Sequence, residues 1–91
     1  MLILTRKDGE GLHITHDIHV RVLEQRPRTV RLEITDEGAV SAVSVSLGEA
    51  LAIRPGVSVQ VMSMRPGRFV RLGIDAPQSM NVWRDELGAD A

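Results

Sequence analysis

Three features of the 91-residue sequence point to an all-β fold. Apolar and polar residues alternate in short runs, Pro and Gly punctuate the gaps, and the whole pattern occurs twice. Ile18, Val20 and Val22 alternate with His19 and Arg21, and Val30, Leu32 and Ile34 alternate with Arg31 and Glu33. Each apolar set therefore shares one face of a strand. No stretch sustains a helical period, and the tail after Glu86 is too short for a stable helix.

The duplication can be read residue by residue. Gly9-Glu10-Gly11-Leu12-His13-Ile14 returns 39 residues later as Gly48-Glu49-Ala50-Leu51-Ala52-Ile53. Ile18-His19-Val20-Arg21-Val22 returns at the same offset as Val57-Ser58-Val59-Gln60-Val61. Val30-Arg31-Leu32-Glu33-Ile34 returns at an offset of 40 as Val70-Arg71-Leu72-Gly73-Ile74. One extra residue in the second hairpin loop accounts for the change, Arg65-Pro66-Gly67-Arg68 against Arg26-Pro27-Arg28. Residues 2–7, 39–46 and 80–85 supply flanking strands, which brings the total to about nine. Val20, Val22, Leu32, Val59, Val61 and Leu72 are the expected core.

Composition narrows the function. Eleven basic against twelve acidic residues leave a net charge of −1, so a generally basic nucleic-acid coat is excluded while a local patch is not. Ten of the eleven basic residues are arginine, whose planar fork suits phosphates and base edges. Phe69 and Trp83 are the only aromatics, too few for a sheet that stacks several bases. The absence of cysteine removes disulfides, thiolate metal clusters and a cysteine nucleophile. No nucleophile–base pair, paired carboxylates in a cleft or phosphate-binding loop is present, so an enzyme is not expected. Gly9-Glu10-Gly11 reads as a turn, since no helix follows it. No apolar run approaches a membrane span and no signal-peptide pattern opens the chain, so a cytoplasmic location is expected.

Met1-Leu2-Ile3-Leu4-Thr5-Arg6-Lys7 followed by Gly9-Glu10 resembles the opening of the CsrA/RsmA carbon storage regulator family. Val70-Arg71-Leu72-Gly73-Ile74-Asp75-Ala76-Pro77 and Asn81-Val82-Trp83-Arg84-Asp85-Glu86 resemble that family's second half. The resemblance implies an interleaved dimer in which the first strand of one subunit lies beside the last strand of the other. It also implies binding of GGA-containing loops in mRNA leaders and repression of translation. Two units in one chain then imply an intrachain, strand-exchanged pseudo-dimer. Unit one covers residues 1–38, and a linking strand plus unit two cover 39–91, within one domain. By the same resemblance the RNA-binding residues are Leu4, Thr5, Arg6, Lys7, Ala76, Pro77, Val82, Trp83 and Arg84. A FliW-like protein antagonist is the implied protein partner, and the alternative function is protein interaction with weak or no RNA binding.

Strand spacing bears on that site independently. Leu2, Leu4 and Arg6 share a face, as do Met80, Val82 and Arg84, with Trp83 on the opposite side. Arg6 and Arg84 project from one surface if their strands are neighbours, and guanine offers N7 and O6 to such forks. Residues 39–46, which stand where unit one's last strand and unit two's first strand are expected, contain no basic residue. One working edge and one erased edge follow. Arg26, Arg28, Arg65 and Arg68 are hairpin-loop residues suited to steering phosphate. His13, His16 and His19 have a suggestive spacing, but the turn at His16-Asp17 breaks a common face, so they are read as solvated, with no metal and no cofactor. With both halves of a dimer in one chain, a monomer is expected, with further pairing open through any bare sheet edge.

Overall fold

In a computed structural model that describes residues 1–87, alternation becomes nine strands. They are β1 (Leu2–Arg6), β2 (Gly11–Ile14), β3 (Ile18–Gln25), β4 (Thr29–Asp36), β5 (Ala39–Ser46), β6 (Ala50–Arg54), β7 (Val57–Arg65), β8 (Phe69–Asp75) and β9 (Val82–Arg84). A single 3-10 turn, Asp85–Leu87, follows β9. The expected all-β class is borne out, and the tail beyond residue 87 lies outside the described residues.

The strands form two antiparallel sheets that exchange their edges. One has the order β1-β8-β7-β6 and the other β5-β4-β3-β2-β9. The first strand of unit one thus completes the sheet of unit two, with Leu4 opposite Leu72 and Arg6 opposite Val70. The last strand of unit two completes the sheet of unit one, with Leu12 opposite Arg84. Both sheets turn their apolar faces inward, and Val20, Val22, Leu32, Val59, Val61 and Leu72 are all fully buried, as the alternation requires. Arg54 ties β6 to the other sheet by ion pairs to Asp17 and Asp36.

The duplication extends to individual hydrogen bonds. The Gly9 amide donates to the Val22 carbonyl at 2.7 Å, and the Gly48 amide donates to the Val61 carbonyl at 2.8 Å. Glu10 accepts from the Lys7 amide through its side chain, and Glu49 accepts from the Ser46 amide in the same way. Both glycines hold φ at +86°, a conformation that disfavours any side chain. Both long hairpins also shift register at matching points, Val22/Glu24 and Val61/Ser63.

These matches correct one expectation. The strand of residues 39–46 does not fill two places; it fills the place of unit two's first strand only. Ser46 stands where Lys7 does, and β5 pairs along the whole of β4 as β1 pairs along β8. The reason is the connection. Glu37 and Gly38, at φ of +51° and +86°, form a two-residue turn between the Asp36–Ala39 pair, so the chain must fold straight back onto β4. After β8, by contrast, residues 76–81 separate Asp75 from Val82 and carry the chain across to the other sheet. Among the described residues, β6 therefore has no strand on its outer side.

Candidate nucleic-acid interface

The edge where β1 and β9 come together begins with alternation on β1. Leu4 and Arg6 point inward, at 7% and 4% exposure, while Ile3, Thr5 and Lys7 are exposed. Leu4 joins the core. Arg6 is a buried cation, and its donors are taken up by the protein. Its Nη1 and Nη2 donate to the two carboxylate oxygens of Glu86 at 2.7 and 2.8 Å. Nη1 also donates to the Gly11 carbonyl at 3.1 Å, and Nε donates to the carbonyl of Thr5 at 2.8 Å. A bidentate fork is a strong and well-oriented contact. It holds the Glu86 carboxyl well below the usual carboxylate range, at about 2, with Arg84 a smaller contributor.

This changes the roles expected of Leu4 and Arg6. Period-2 spacing put them on one face, and that face is the inner one, so neither side chain is presented to solvent. The two edge strands are also not hydrogen-bonded neighbours. They border different sheets, and the Arg6–Glu86 pair links them just beyond β9.

Other expected residues do meet. Leu2, Ala76, Pro77 and Val82 line one shallow groove between the start of β1 and the link into β9. Thr5 and Lys7 line a second groove with Gly67 and Arg68 of the β7–β8 loop and Phe69 at the start of β8. Thr5 also faces Arg71 across the strand pair. Arg84 is half-buried on β9, and among the described residues it carries no ion pair, nor do Lys7, Arg68 or Arg71. Trp83 points to the other side and stacks on His13, ring centroids 5.3 Å apart and planes 17° from parallel. It packs against protein there.

Sequence reasoning missed a cluster beside Trp83. The tight β2–β3 turn makes His13 and His19 cross-strand partners, with ring centroids 4.6 Å apart. Asp85, the residue after β9, reaches both: its Oδ1 lies 3.3 Å from Nε2 of His13 and 3.0 Å from Nε2 of His19. Burial, and then the neighbouring His19, pushes the His13 ring below its ordinary value. His16, exposed in the turn, is outside the Asp85 cluster and sets its ring edge-on to Trp83, centroids 5.6 Å apart. The pairing of 13 with 19 was available in the hairpin register, but Asp85 comes from a distant segment and left no signal.

No helix among the described residues is long and apolar enough to cross a membrane. Comparison with known proteins gives a consistent relationship. Residues 1–45 match the family model of CsrA, a global regulator protein family, and residues 42–91 match it again. The Translational regulator CsrA of Geotalea uraniireducens (strain Rf4) is 42% identical over 41 residues, which cover 45% of this chain and 51% of that protein. The Translational regulator CsrA of Geobacter sulfurreducens is 39% identical over the same length and shares. The chain thus spans about half the length of the curated relatives it matches. No solved structure matches it. Two successive family matches, in a chain whose hydrogen bonds and strand pairings repeat in step, show that this protein belongs to the CsrA family as a tandem of two family units.

Proposed function

We propose that the protein is an RNA-binding translational regulator that takes GGA-containing loops of mRNA leaders at one composite edge. The observation that carries this reading is the set of cations at the β1/β9 edge that form no ion pair among the described residues, in a chain of the CsrA family. Arg84 is the base-reading residue, offering its fork to guanine N7 and O6. Lys7, Arg68 and Arg71 meet phosphates, which position the loop without reading it. Thr5 lies among them, and Ala76, Pro77 and Val82 form the wall against which an unstacked base rests. Leu4, Arg6 and Trp83 act from behind this surface: Leu4 packs the strand, Trp83 packs on His13, and Arg6 holds the turn after β9 through Glu86.

Fluorescence anisotropy with a labelled hairpin tests the assignment. A GGA loop is expected to bind at least about tenfold tighter than the same hairpin with a scrambled loop, with the preference lost in Arg84→Ala. Equal affinity for the two hairpins, or no binding by folded protein, would overturn it. A second reading, docking of a FliW-like protein antagonist, draws on the apolar groove at the other end, lined by Ile34, Val40, Val43, Leu51 and Ile53. That groove lies beside the open edge of β6 and stays available whatever the β1/β9 edge holds.

A further inference from the structure

We propose that His13, His19 and Asp85 form a binding site for one zinc-class divalent transition-metal ion, held by two imidazole Nε2 atoms and one carboxylate. The three ligand atoms all lie within 4.8 Å of one another. The Asp85 Oδ1 to Nε2 separations of 3.0 and 3.3 Å match the spacing of two ligands on a tetrahedral zinc, about 3.3 Å for bonds of roughly 2.0–2.1 Å. All three side chains are half-buried, which leaves an entry path and a fourth position for water. Two nitrogen ligands and a single carboxylate suit zinc, cobalt or nickel, and suit magnesium or calcium poorly.

Two further observations mark this as a shaped site. Gly11 has no side chain where one would intrude: a Cβ there would lie 2.5 Å from the Val20 carbonyl oxygen, 2.8 Å from Asp85 Oδ2 and 2.9 Å from His19 Nε2. Glycine thus leaves room both for the neighbouring strand's carbonyl and for the carboxylate and the imidazole above it. Trp83 stacks on the His13 ring, planes 17° from parallel, and restricts the plane that ring can take. The internal repeat supplies a built-in control. At the matching position of unit two, the cross-strand pair is Ala52 and Ser58, neither of which ligates such a metal.

The ion would join three elements, β2, β3 and the turn after β9, so it would fasten the last strand to the sheet of unit one. This inference is independent of whether the edge takes RNA. Isothermal titration of the chelator-treated full chain with zinc, and with cobalt read by its visible spectrum, tests it. One ion per chain is expected, with affinity lowered about tenfold or more in His13→Ala and in Asp85→Asn. Zinc is expected to raise the melting temperature of the parent chain and to leave that of Asp85→Asn unchanged. Should a variant misfold, the imidazole nitrogen signals of the parent chain decide. Zinc should shift those of His13 and His19 and spare His16. No binding at millimolar zinc, undiminished binding by Asp85→Asn, or an equal shift at His16 would overturn the site.

Discussion

The two ends of the molecule are built on the same repeated backbone, and a few of the many side-chain differences between them separate their chemistry. At the β1/β9 end, the inward residue before the turn is Arg6; at the β5/β6 end the matching residue is Val45, equally buried. Lys7 is matched by Ser46, and the His13–His19 pair by Ala52 and Ser58. Arg84 has no counterpart, because β6 gains no outer strand among the described residues. Other cations occur at both ends: Arg71 matches Arg31, and the loop arginines recur. The difference teaches which features a β-edge needs for itself and which serve something else. An apolar Val45 suffices to bury the strand, so Arg6 is there for what it holds, namely Glu86 and the turn after β9.

The largest expected effect that separates the ends is on RNA. Arg84→Ala should weaken GGA-hairpin binding about tenfold or more, since a bidentate base contact is worth roughly 1–3 kcal/mol. Next comes Arg6→Val, which copies the other end. The substitution removes one partner of the pair, but the Glu86 left behind is exposed to water rather than buried, so the melting temperature should fall only modestly. Amide-exchange protection in β9 and the following turn should nonetheless fall, and RNA affinity with it, although Arg84 is intact. A collapse of global stability would mean that Arg6 supports the core itself.

Acid should expose the same clamp. The Glu86 carboxyl is held at about 2, below its ordinary 4.5, by Arg6. Its depressed value means that the pair's stabilisation is fully present above pH 4.5 and is lost as pH falls through about 2. Glu86→Gln should flatten the stability–pH profile in that window, leaving the part due to Asp17, whose carboxyl Arg54 also holds low. Smaller again is Arg68→Ala, which should weaken all RNAs alike and reduce the salt slope by about one. Ser44→Ala, on β5, should do nothing measurable to RNA binding.

Much of the fold was legible because period-2 alternation and repeat offsets are local signals, and the buried valines and leucines at positions 20, 22, 32, 59, 61 and 72 follow from them. The exchange of edge strands was legible only through the family resemblance. The place of β5 was not, because it depends on the two-residue geometry at Glu37-Gly38 rather than on composition. At the site, spacing put Leu4 and Arg6 on one face but could not say which way it turned; the apolar Leu4 was the available signal. Partners far apart in sequence, Arg6 with Glu86 and His19 with Asp85, are set by the meeting of two sheets and leave no trace in a linear pattern.

The central claim is one RNA site per chain, and calorimetric stoichiometry tests it most directly. Titration of the chain with a GGA hairpin, read beside a light-scattering mass near 10.0 kDa, should give one hairpin per chain. Two equivalent hairpins per chain would contradict the account, because the β5/β6 end would then bind RNA without Arg84, Lys7 or a last strand.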